Sequence, residues 1–201
     1  MSESSFSNKI IPSNIKKEVL KALSFYPELK NTPIEFKFKK QIKKSTMQAQ
    51  PDLSTILRGR KNRGYKILIS EKIHIEQKEF SIEDMEKEVL IGWFGHELGH
   101  VIDYHDRSAI GMLIFGLKYL FSQKHLKEVE RTADTIAVQH GMSNYILATK
   151  DFILNNAHVS SKYKARIAKL YMSPQEIMEI VNSEEKSLEK EVEKELVFSG
   201  Q

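Results

Sequence analysis

Ile15, Val19, Leu20 and Leu23 recur at three- to four-residue spacing after Pro12, which predicts an amphipathic helix over 12–23 with the proline in its first turn. The run IEFKFK, residues 34–39, then alternates apolar and polar side chains at strand period. A loop carrying Pro51, Gly59 and Gly64 follows, and YKILIS, residues 65–70, predicts a second strand, continued or paired near residues 73–75. From Ser81 the period is helical. Ser81 with Asp84 three residues on marks a helix start, and Val89, Leu90, Trp93 and Phe94 carry that helix to about Tyr104. Further helices are predicted over 126–139, stopped near Gly141, over 143–155, and beyond Ser160, with Ser173 and Pro174 opening the last of them. Glu and Lys mix at helical spacing over 184–195, as in a solvated helix. This order predicts an α+β fold in one domain over 1–201. Its parts are an N-terminal helix and sheet to residue 80, helices over 81–141, and a helical C-terminal part over 142–201.

Composition narrows the chemistry. With 40% hydrophobic residues, 201 residues can bury a core. The absence of cysteine excludes disulfides and thiolate metal sites, so any metal must be held by histidine and carboxylate. The longest apolar run, AIGMLIFGL at 109–117, is too short to span a bilayer. It reads as a buried helix or helical hairpin, with membrane-surface or partner contact through 109–121 as the alternative. The first thirty residues hold no long apolar run after a basic start, so no secretory signal is predicted and the cytoplasm is expected. Net charge is only +4, but ten basic residues face one acid, Asp52, between Phe36 and Lys66. Without interleaved aromatics this stretch reads as a solvated face rather than a nucleic-acid site, and it could bias a cleft toward acidic partners.

The chemistry concentrates in GHELGH, residues 95–100. On a helix, His96 and His100 project from one face a turn apart, where two imidazole nitrogens can reach one metal ion. Glu97 stands beside them, able to exchange a proton with a water without itself binding metal. Leu98 turns away toward the core. Gly99 costs about 1 kcal/mol against alanine in a helix interior, tolerable where another backbone packs closely. Two histidines do not complete a catalytic zinc site, which takes three protein ligands. Glu130, thirty residues after His100, is the favoured third ligand; His105 and Asp106 are local alternatives. Asp134 lies four residues beyond Glu130 on the same helical face, where a carboxylate could accept the free ring N–H of a ligating histidine. Ala133 is small enough to let two helices approach closely.

HELGH followed by E-x-x-A-D in a later helix resembles the gluzincin zinc peptidases, and the compact chain most resembles their minimal members, the minigluzincins. The resemblance covers residues 65–141 with specific motifs. It implies a zincin-like fold and a zinc-dependent metalloendopeptidase with one zinc ion per chain and a peptide or protein substrate. His96, His100 and Glu130 would be the metal ligands, Glu97 the general base, and Asp134 the carboxylate that anchors a ligand. It also implies that the strand at 64–70 forms the rim of the cleft and pairs with extended substrate. An oxyanion-stabilising residue is expected downstream, and His140, Tyr145, His158, Tyr163 and Arg166 all qualify. A metal-binding regulatory or interaction module with a residual site is the alternative function.

Overall fold

A computed structural model describes residues 6–40, 42, 45–59, 62–75, 78–155 and 159–199. The fold is α+β, a four-stranded sheet followed by a mainly helical remainder. Strand β1 (Lys9–Ile10) leads through a 3-10 turn into helix α1 (Lys16–Leu23) and back to β2 (Ile34–Lys39), which runs parallel to β1 as such a crossover requires. Ile15, Val19, Ala22 and Leu23 are buried, which accounts for the predicted amphipathic period. Sheet order is β1-β2-β4-β3, with β4 (Tyr65–Ser70) parallel to β2 and β3 (Met47–Pro51) antiparallel to β4.

Two expectations change here. Strand β3 falls inside the segment predicted as loop, because MQAQP carries only two buried residues, Met47 and Ala49, too few to set a visible period. In consequence β4, expected as the substrate-pairing rim, is an interior strand hydrogen-bonded on both sides, and the edge belongs to β3. Residues 73–75 lie in a separate hairpin, β5 (Lys72–Ile75) with β6 (Lys78–Ser81).

Helix α2 (Lys87–His105) begins six residues later than Ser81 predicts, since Ser81 ends β6 and Ile82–Asp84 forms a 3-10 turn. From Val89 to Val101 every residue of α2 is buried, which makes it the central element, flanked by α1, α4, α5 and β3. Its C-terminus is capped by Arg63, itself 1% exposed, whose guanidinium donates to the Tyr104 and Arg107 carbonyls at 3.1 and 2.9 Å. A cation there matches the negative end of the helix dipole. The basic stretch is therefore not a uniform solvated face. Lys43, Lys44, Arg60 and Lys61 of that stretch lie outside the described residues.

Helix α3 (Ala109–Phe121), N-capped by the Ser108 hydroxyl, is followed by α4 (Gln123–Ala137), which ends in a wider turn through Gly141 at φ 79°. Helices α5 (Ser143–Asn155), α6 (Ser161–Leu170) and α7 (Pro174–Ser199) complete the chain. The start of α7 is a reciprocal cap: Glu176 N–H donates to Ser173 Oγ at 3.2 Å and Ser173 N–H to the Glu176 carboxylate at 2.8 Å. Helix α3 departs from the buried helix or helical hairpin expected of it. Met112 and Phe115 face the core, but Ile110, Leu113, Ile114, Leu117, Leu120 and Phe121 are exposed. No helix among the described residues is long and apolar enough to cross a membrane.

Candidate metal centre

Glycine brings the helices of the site together. A Cβ on Gly99 would stand 2.6 Å from the Ala133 carbonyl oxygen and 3.2 Å from Ala133 Cα, so α2 and α4 touch backbone to backbone at that point. Gly92 meets the backbone of α5 at Tyr145 in the same way. This close approach lets polar side chains from three helices meet in the buried interior.

His96 and His100 turn Nε2 toward one carboxylate oxygen of Glu130, at 3.2 and 3.4 Å. The ligand atoms of His96, His100 and Glu130 lie within 4.8 Å of one another, and all three residues are buried. This group could hold a metal ion. The fit is chemical as well as geometric. His96 Nδ1 lies 2.9 Å from Asp134 Oδ1, an arrangement in which, with a metal bound, Nδ1 would keep its proton toward the carboxylate and Nε2 would offer its lone pair. Asp134 is in turn fixed by Lys150 Nζ at 2.7 Å and by the Met172 N–H at 3.1 Å. His100 has no such support: its Nδ1 is buried without a hydrogen-bond partner. Its ring is held by stacking on Tyr104 (centroids 5.8 Å) and by an edge contact with His96 (4.7 Å).

Electrostatics favour a cation at this point. Burial alone pulls the His96 imidazolium down, but hydrogen bonds and charge from Asp134 and Glu130 outweigh it and push its pKa up to about 10. Burial raises the Glu130 and Asp134 carboxyls, yet the histidines, and Lys150 for Asp134, hold both below their ordinary values. Glu97 differs. Its burial is only partly offset by the two imidazoles, so its pKa is raised. One Glu97 oxygen accepts the Ala49 N–H of edge strand β3 at 2.6 Å, which ties the sheet to the site.

Of the residues predicted from sequence, His96, Glu97, His100, Glu130 and Asp134 come together here. His105 ends α2 beside Tyr65, 6.5 Å between rings, and Asp106 is exposed just beyond it, so neither joins the cluster. His140 is engaged elsewhere, bonded to the Ile136 carbonyl at 2.7 Å and the Glu28 carboxylate at 2.6 Å and stacked on Tyr26. Tyr145 packs edge-on against Phe25. His158 lies outside the described residues. Tyr163 lines the cavity of about 40 Å³ that also includes His96, Glu97 and Lys150, and the Arg166 charge reaches the Tyr163 hydroxyl. Sequence reasoning missed Lys150, Tyr119 and Tyr171. The Tyr119 hydroxyl donates to Glu130 Oε1 at 3.0 Å, and Tyr171 lies 5.4 Å from the His96 ring beneath the Lys150 ammonium. No motif marks any of them, and Lys150 stands between Thr149 and Asp151 in the predicted helix, where a lysine carries no local signal. Comparison with protein-family models, curated proteins and solved structures finds no match for this chain.

Proposed function

We propose that the chain is a small zinc metallopeptidase of gluzincin type, built on a zincin-like arrangement of sheet and active-site helix. The observation that carries this reading is the convergence of the His96, His100 and Glu130 ligand atoms within 4.8 Å, with Glu97 adjacent in sequence to His96. Two imidazoles and one carboxylate suit zinc and leave a further coordination position. Bound there, zinc would polarise a peptide carbonyl and acidify water. The chain's own residues do the rest. Asp134, braced by Lys150, keeps the His96 ring from turning. Glu97 takes a proton from the attacking water and delivers it to the departing amine. The Ala49 N–H orients one Glu97 oxygen during that exchange. Tyr163, the cavity-lining member of the downstream candidates, is the group best situated to donate to a developing oxyanion.

Purified protein should hold one zinc per chain and cleave an unstructured polypeptide such as casein. Glu97→Gln should keep the metal and lose cleavage; unchanged cleavage would overturn the role given to Glu97. One observation favours a second reading, a metal-bearing regulatory or interaction module. The cavity at the site is about 40 Å³, room for a water or two rather than a peptide, and β3 stands over Glu97. Stoichiometric zinc with no hydrolysis of any unstructured polypeptide would select it.

A further inference from the structure

Helix α3 is apolar on both sides, which is unusual for a helix with a solvent-facing side. Its inner side supplies Met112 and Phe115 to the core and the Tyr119 hydroxyl to Glu130. Its outer side shows Ile110, Leu113, Ile114, Leu117, Leu120 and Phe121, with exposures from 49% at Ile114 to 84% at Phe121. These positions follow helical spacing, so they form one stripe along a helix about 20 Å long. A contiguous apolar stripe of this size marks a contact surface.

Charge selects the occupant. No aspartate or glutamate falls between Asp106 and Glu128, whereas Arg107, Lys118, Lys124 and Lys127 do. The three lysines are exposed, and Lys118 stands on α3 itself. Pairing two copies about a twofold axis would bring these cations together with no acid on the helix to answer them. An anionic lipid surface answers them directly, while its acyl region takes the leucines and phenylalanine. We propose that the outer face of α3 docks the protein in the plane of an anionic membrane surface, with Lys118, Lys124 and Lys127 at the headgroups. This inference rests on the exposed stripe and its cations, not on the peptidase reading. Because the same helix carries Tyr119 to Glu130, docking would hold the metal centre close to the bilayer.

Vesicle flotation of the full chain tests it. The protein should float with vesicles of equimolar phosphatidylglycerol and phosphatidylcholine, and bind pure phosphatidylcholine about tenfold more weakly or less. Raised salt should release it. The paired substitutions Leu113→Ser and Leu117→Ser should abolish flotation. Should that variant fold poorly, Lys118→Glu with Lys124→Glu, both at exposed positions, should weaken binding to anionic vesicles by about thirtyfold or more. Glu97→Gln protein should float like the native chain, which separates docking from catalysis. Failure of the native protein to bind anionic vesicles would overturn the proposal. So would light scattering that shows a dimer dissolved by the leucine substitutions, since the stripe would then be a self-association face.

Discussion

Where α2 meets α4 and α5, two histidines, three carboxylates and a lysine are buried: His96, His100, Glu97, Glu130, Asp134 and Lys150. Along the outer face of α3, six large apolar side chains meet solvent instead. Each region reverses the ordinary distribution of polar and apolar groups, and the two reversals have different physics. Buried charges persist only where partners compensate them. Here Asp134 alone accepts from His96, Lys150 and the Met172 amide. The exposed stripe has no compensation within the chain, so it costs little in the fold and speaks for an outside surface. One region is costly to disturb, the other nearly free.

That contrast can be broken or sharpened by substitution. Lys150→Met should have the largest effect, about 3 kcal/mol of lost stability in chemical denaturation, because it leaves Asp134 buried without its cation. A loss under about 1 kcal/mol would mean that His96 and the Met172 amide suffice, and the buried network would be less dependent on charge than argued. Gly99→Ala comes next. Its methyl group would meet the Ala133 backbone at 2.6 Å and force α2 and α4 apart, costing about 1–3 kcal/mol and weakening zinc retention together. Stability lost without any change in zinc content would separate helix packing from ligand convergence. Leu113→Ser should be smallest, within about 0.5 kcal/mol in a thermal melt, since the side chain is 66% exposed. A loss of several kcal/mol would place Leu113 in the core and remove the contrast.

Much of the fold was legible because it is locally encoded. The runs at 34–39 and 65–70 are strands, 143–155 is a helix, and Ser173 caps the last helix, all from spacing within a few residues. HELGH needed only the pitch of a helix to set His96 and His100 on one face, and Gly99 with Ala133 foretold the close approach of α2 and α4. What stayed hidden depends on partners distant in sequence. Strand β3 has too few apolar residues to announce itself, so the identity of the sheet edge, and the hold of Ala49 on Glu97, came from pairing with β4.

Lys150 was equally beyond local reading, because its role comes from a carboxylate sixteen residues away on another helix. The convergence of Glu130 with the histidines could be suspected from E-x-x-A-D, but only the packing of α4 on α2 brings their atoms within reach of one ion. The sharpest case is α3. Its sequence determined a helix apolar on every side and left open which side would be covered. Tertiary packing turned Met112 and Phe115 inward and left the stripe from Ile110 to Phe121 outside. Periodicity records what a side chain prefers as neighbour; the neighbours themselves are supplied by the rest of the fold.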